Sequence, residues 1–372
     1  MTFDLDSSLD SIAAIAASHA SDVDRGRFPT ETLDAMRGAG LLGLLIATEH
    51  GGRGAGLGAA VQVVERLARV CGSTAMVVCM HYSGSAVIDA LGPVEIRREI
   101  AAGRHLTTLA FSELGSRSQF WAPVGIARAD GTDVLLTARK SWVTAAHHAD
   151  SYVWSSKPVA GSEASTLWLV PRATAGLRLA PTPFDGLGLR GNDSVPVTAE
   201  DVRLPRSARL GEDGAGFGVM MGTVLPFFNV LSAAASAGLM EGAVQATAAH
   251  AGGTTFEHAG STIADLPTVR AYIARMRIST DQLKALIADT VAAVAAWRPD
   301  TTLRVLESKA AAGESAAQVT DLAMRVCGGA AFRKEVGVER IFRDARAALV
   351  MGPTTDVLYD FIGKAVCGLP LF

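Results

Sequence analysis

The sequence predicts an α+β protein in three parts: an N-terminal helical domain over residues 1–105, a middle antiparallel β-barrel or sandwich over 106–207, and a C-terminal four-helix bundle over 208–372. Two patterns predict this order. Apolar residues recur at helical spacing at both ends of the chain, and between them they fall into short runs separated by turn dipeptides. Composition supplies a third observation. Apolar residues make up 49% and charged residues 19% of the 372 residues. That balance suits a large core with buried subunit interfaces rather than a disordered chain.

In the first part, Thr30 is expected to cap a helix carrying Leu33 and Met36, with Gly38 and Gly40 ending it. A second helix is expected from Ala60 to Met80, because Val61, Val64, Leu67, Ala68 and Cys71 share one face. The glycines at 51, 52, 54, 56 and 58 form a loop with no following Gly-Lys-Ser/Thr, which excludes a phosphate loop. Strands are expected at Leu106–Phe111, Val134–Thr137, Tyr152–Trp154, Thr166–Val170 and Val195–Thr198, with turns at Asp130-Gly131 and Ala175-Gly176. Beyond Gly216 the helical period returns. Val269, Tyr272, Ile273, Met276, Leu283, Leu286 and Ile287 mark a long helix or helix pair, and Thr302 to Arg325 another helix.

The net charge of −3 arises from 34 basic and 37 acidic residues without a basic block, so nucleic acid is not an expected partner. Cys71, Cys79, Cys327 and Cys367 make no Cys-x-x-Cys pair and sit in apolar helical surroundings, which predicts buried reduced thiols. The acidic N-terminus lacks a signal-peptide core, and the apolar stretches are interrupted by glycine and charge. The expectation is a cytoplasmic protein that does not span a membrane.

Four stretches are more specific than composition. They are Leu109-Ala-Phe-Ser-Glu-Leu-Gly-Ser-Arg-Ser118; Lys140-Ser-Trp-Val-Thr144 followed by Ala149-Asp150; Gly188-Leu-Arg-Gly191 with Glu200 to Pro205 and Gly214 to Phe217; and Cys327-Gly-Gly329 with Glu339-Arg340, Arg343 to Arg346 and Gly352-Pro-Thr354. In this order, within a helix–sheet–helix frame, they resemble the acyl-CoA dehydrogenase family over nearly the whole chain.

The resemblance implies a flavin, normally FAD, between the β domain and the C-terminal bundle. It implies a homotetramer or homodimer, an acyl-thioester or other small-molecule substrate, and an electron-transfer flavoprotein or flavin reductase as redox partner. By position, Phe111 and Ser112 match the strand facing the flavin ring, and Trp142 and Thr144 the residues that stack on it and hydrogen-bond to it. Ser118 matches a serine beside the pyrophosphate. Gly328, Gly329 and Thr354 match C-terminal cofactor contacts. Arg325 stands where many relatives have glutamine, and Asp356 could also face the cofactor. The chemistry suits these roles: hydroxyl and backbone donors stabilise an electron-rich reduced ring, aromatic faces pack on it, and glycine lets backbone approach a diphosphate.

The pattern breaks where relatives carry the glutamate that removes the substrate α-proton. Counting from Arg343, that position is Gly352. The alternative position on the first long C-terminal helix reads Phe228-Asn229. A positioned base contributes about 10²–10⁴-fold. The arginine that relatives place near Thr255-Phe256 to meet the diphosphate is also absent, with Gly253 or Thr254 in its place. FMN or a diffusible reduced flavin therefore stands as an alternative to bound FAD. The candidate functions are an acyl-CoA dehydrogenase-type oxidoreductase lacking the usual glutamate, a two-component reduced-flavin monooxygenase, and a non-catalytic flavoprotein.

Candidates for a replacement catalytic group are His81 and Tyr82 on an apolar helix, and Asp356 after the altered motif. A core histidine is the competing reading for His81, and a helix-capping or cofactor-contact group for Asp356. His147-His148 point in different directions, so no metal site is expected. Arg117 and Trp121 are candidates for the substrate entrance. Glu339, Arg340 and Asp344 read best as an interhelical ionic network.

Overall fold

The computed structural model describes residues 4–116, 119–161 and 165–371. The N-terminal helices are α1 (Leu5–Asp24), α2 (Thr30–Gly38), α3 (Leu57–Ala68), α4 (Gly72–Leu91) and α5 (Val94–Ala101). Asp4 caps α1 by accepting from the Asp6 and Ser7 amides. Thr30 does not cap α2. It is the first residue of that helix, and Pro29 holds the N-cap position without a side-chain bond. The run expected as one helix from Ala60 to Met80 is divided between α3 and α4, with the break at residues 69–71. Apolar residues continue through the break, with Val70 and Cys71 between the helices and α4 buried on most sides, so periodicity alone does not separate the two.

The middle segment contains β1 (Thr107–Ala110), β2 (Ile126–Asp130), β3 (Asp133–Val143), β4 (Ser151–Ser156), β5 (Thr166–Pro171), β6 (Arg178–Leu179), β7 (Val195–Pro205) and β8 (Arg209–Leu210). They form two open four-stranded sheets, ordered β1-β4-β5-β8 and β2-β3-β7-β6, so the barrel alternative does not hold. Nor is the segment wholly antiparallel, because β1 pairs with β4 in parallel. The cause is connectivity: the β2–β3 hairpin of the other sheet intervenes between β1 and β4 and returns the chain for a parallel pairing. β8 joins the first sheet beyond the boundary expected at 207.

The C-terminal segment has α6 (Gly216–Val219), a π-helical turn (Met220–Val224), α7 (Leu225–Gly253), a short hairpin of β9 (Thr255–Phe256) and β10 (Ser261–Thr262), α8 (Pro267–Ala296), α9 (Thr301–Cys327), α10 (Val338–Ala345), α11 (Ala347–Val350) and α12 (Thr355–Val366). α7, α8 and α9 pack on one another, α12 packs on α9, and α3 joins them against α7. Gly238 and Gly242 permit that last contact. A Cβ at either would lie 2.2 Å from the Glu65 carbonyl oxygen or 2.4 Å from that of Arg69, closer than any side chain is tolerated. α4 and the helix through α7 are long and apolar enough to cross a bilayer, but their apolar positions contribute to the core instead. Cys71, Cys79 and Cys327 are buried free thiols. Cys367, just past the end of α12, is exposed.

Candidate active site

Register builds the first half of the site. In β3, Val134, Leu136, Ala138 and Lys140 alternate inward, so a lysine occupies an apolar position. Its ammonium is satisfied there. Nζ lies 2.5 Å from Glu113 Oε1, 2.7 Å from the Ser155 carbonyl and 2.9 Å from Ser155 Oγ. The other Glu113 oxygen accepts from the Val124 and Gly125 amides. Burial pulls the Lys140 pKa down to about 8 against the pull of Glu113. The Ser141 amide donates to the Ser112 carbonyl at 2.9 Å, so the end of β1 and the end of β3 are stitched together.

A register shift between Lys140 and Val143 then turns Trp142 outward. Trp142 has φ +57° and Ala145 φ +56°, so the residues bracketing Val143-Thr144 both adopt the left-handed conformation. For a bulky non-glycine residue that is an outlier costing on the order of 1–3 kcal/mol, of the kind concentrated at functional sites. The 188–193 loop braces this turn. Ala145 and Ala146 amides donate to the Asn192 and Asp193 carbonyls. Thr144 Oγ1 shares a hydrogen bond with Ser194 Oγ at 2.9 Å. The Trp142 indole is 65% exposed and meets the edge of Phe184 at 6.0 Å. An exposed aromatic face beside a hydroxyl pair and the half-buried Ser112 fits a planar, hydrogen-bonding ring such as a flavin.

An aromatic chain links this edge to the C-terminal helices. Phe111 stacks on Phe120 at 6.2 Å, Phe120 meets Trp121 at 5.3 Å, and Trp121 packs on Phe361 of α12 at 5.4 Å. Ser118 and Arg117 lie outside the described residues.

The second half of the site surrounds the 351–353 segment. Lys309 of α9 is 1% exposed and donates to the carbonyls of Met351 at 3.0 Å and Pro353 at 2.7 Å. Its Nζ is 6.0 Å from the Phe228 ring centroid, so Phe228 and Gly352 come to one place around one amine. Burial pulls the Lys309 pKa down to about 7. Asn229, next to Phe228 in sequence, is buried with Nδ2 at 3.5 Å from the Val305 carbonyl and Oδ1 unpartnered. Thr354 caps α12 through the Val357 amide, and Asp356 in the same first turn faces solvent. Arg325 is exposed and pairs with Asp321 at 2.9 Å, on the rim of a cleft of about 370 Å³ between α8 and α9. Gly328 and Gly329, at the end of α9, have open space where a Cβ would stand.

The histidine candidate is corrected by its surroundings. His81 is fully buried. Nε2 donates to the Leu42 carbonyl at 2.9 Å, and Nδ1 accepts from the Thr107 amide at 3.1 Å. That fixes the tautomer and leaves no lone pair for a substrate proton, and burial pulls the pKa down to about 4. Tyr82 donates to the Leu41 carbonyl at 2.8 Å, and burial pushes its pKa up. Both side chains anchor the 41–42 turn to α4, the core-histidine reading. His147 pairs with Asp193, whereas His148 stacks on Phe28 at 3.7 Å, and no metal-ligating cluster exists among the described residues. The expected ionic network forms with different members. Arg343 binds Asp24 through two bonds and Glu339 through Nε, Arg340 donates to the Val70 carbonyl, and Asp344 accepts from the Leu189 amide.

Comparison with known proteins decides the family. The acyl-CoA dehydrogenase N-terminal domain matches residues 9–103 and the C-terminal domain residues 214–367. The chain belongs to the acyl-CoA dehydrogenase family. Members are flavin-dependent oxidoreductases, and this chain is one at that level. It is 26% identical over 357 residues to a probable acyl-CoA dehydrogenase, fadE25, of Mycobacterium leprae, covering 94% of this chain and 91% of that protein. It is 28% identical over 348 residues to the mitochondrial short-chain specific acyl-CoA dehydrogenase of Bos taurus, covering 91% and 83%. The butyryl-CoA dehydrogenase structure from Megasphaera elsdenii superposes with a TM-score of 0.88 at 21% identity, covering 99% of this chain and 100% of that one.

Lys309 lies in no motif, and Lys140, which opens the Lys140-to-Thr144 stretch, takes no role from it. The inward alternation of β3 marks Lys140, because a lysine on the apolar face of a strand needs a buried partner. Lys309 lies in the Ala-rich run before Ala310, where only the packed bundle shows how deeply it is buried.

Proposed function

We propose that this chain is an FAD-dependent oxidoreductase acting on an acyl group carried as a thioester, without a carboxylate base at the family positions. The carrying observation is the strained, solvent-facing Trp142 beside Thr144, tied through Ser141 to Ser112. In this reading Trp142 and Phe111 present aromatic surface to the ring, and Thr144 and Ser112 offer it hydrogen bonds. Gly328, Gly329, Thr354 and Arg325 contact the rest of the cofactor, and Asp356 supplements the start of α12. The bound flavin would supply a two-electron acceptor. The exposed Phe332 and Val350 support assembly into a homodimer or homotetramer. The test is anaerobic: FAD-loaded protein is mixed with acyl-CoAs of graded length, and the flavin visible band is followed. Bleaching supports the reading; an unchanged band with every chain length counts against it.

One observation favours a second reading. Gly352 and Phe228 surround an amine, with no carboxylate in ion-pair contact among the described residues. A two-component monooxygenase, fed reduced flavin by a separate reductase, has no use for an α-proton base. Supplying reduced flavin and O₂ tests it: substrate-dependent formation of an oxygenated product supports it, and flavin reoxidation without product opposes it.

A further inference from the structure

Two lysines are fully buried, and they differ in one respect. Lys140 has Glu113; Lys309 has only backbone carbonyls. Among the described residues no carboxylate lies within ion-pair distance of Lys309 Nζ. The groups around it are the Cys79 thiol from α4, the Phe228 ring from α7 and the 351–353 backbone, while Asp356 on α12 turns to solvent. Burial pushes the Cys79 thiol up to about 12, so it carries no charge near neutrality. The two carbonyls that Lys309 holds flank Gly352, one just after α11 and the other just before the Thr354 cap of α12. A charged ammonium fills both with a proton to spare, and a neutral amine has N–H donors for two partners but holds them less strongly.

We propose that Lys309 is a positioning residue for the ligand site: through the Met351 and Pro353 carbonyls it fixes the Gly352 backbone beside Phe228, and its charge state sets how firmly that wall is held. The effect on ligand rests on the thioester reading above; the effect on the wall does not. Because burial pulls the amine down to about 7, the wall tightens below neutrality and loosens above it.

Hydrogen–deuterium exchange of the full chain tests this with the wild type and Lys309→Met, at about pH 6 and pH 9 after correction for intrinsic exchange. At the lower pH, amides from Met351 to Thr355 should exchange at least about tenfold faster in the variant, while β3 and α8 peptides stay unchanged. In the wild type the same peptides should loosen at the higher pH. Unchanged exchange at 351–355 in a folded variant overturns the proposal. Should the variant loosen throughout, the wild-type pair decides: a local pH difference supports the proposal and its absence overturns it. Butyryl-CoA affinity, read from the FAD spectrum, should show a pH break near neutrality that disappears in the variant. If neither FAD nor butyryl-CoA binds while local exchange behaves as expected, the thioester reading falls and the positioning role stands.

Discussion

Lys140 and Glu113 form an ion pair with both side chains shielded from water, and it joins β3 to the segment after β1 next to Trp142. Glu113 also accepts two backbone amides, so each oxygen is used. Breaking one partner leaves a buried charge without compensation. Glu113→Gln should therefore cost about 3–5 kcal/mol of unfolding free energy, read from denaturant midpoints, and weaken flavin binding as the Trp142 turn loosens. A combined Glu113→Gln, Lys140→Met variant should recover part of that loss. A single variant as stable as wild type would show that the pair does not hold this edge.

Trp142 separates binding from stability. It is largely exposed, so Trp142→Ala removes little core and should shift unfolding free energy by under about 1 kcal/mol. The left-handed backbone at this position is retained, because alanine keeps the Cβ that strains it. Flavin affinity should fall about tenfold or more through the lost ring contact. Equilibrium dialysis alongside thermal unfolding checks both, and unchanged affinity would remove Trp142 from the cofactor platform.

Asp344 predicts a pH dependence. Burial raises its pKa from 3.8 to about 6 despite the Leu189 amide. The folded value lies above the unfolded one, so its stabilising contribution is complete below about pH 4 and is lost as pH rises through about 6. Asp344→Asn should flatten the stability slope across that window and gain on the order of 2–3 kcal/mol at neutral pH. A slope identical to wild type would show that Asp344 does not titrate there.

His81 predicts a loss of stability without altered acid–base chemistry. His81→Leu leaves the Leu42 carbonyl and Thr107 amide unpaired in the core, at about 1–3 kcal/mol each. The pH profile of turnover above about pH 5 should keep its shape, because the histidine is already neutral there. A new or lost break in that profile would restore His81 as a participant.

Much of the architecture was legible because the period changed twice along the chain, at Leu106 and again after Gly216. The parallel β1–β4 pairing was not, since strand order depends on what intervenes in space. Phe111, Ser112, Trp142 and Thr144 could be grouped from their motifs, and the Ser141–Ser112 bond shows that their strands do meet. His81 misled for a clear reason: sequence shows a histidine on an apolar helix but not the two backbone groups that satisfy it. Lys309 was missed because the carbonyls that hold it come from residues 42 and 44 positions away.

The proposed function depends above all on a flavin seated at the Trp142 edge. Titrating FAD into the flavin-free protein while following tryptophan emission tests it most directly. Saturable quenching with one FAD per chain is expected, largely lost in Trp142→Ala while the fold is retained. No binding by the wild type, or equal quenching in the variant, would contradict it.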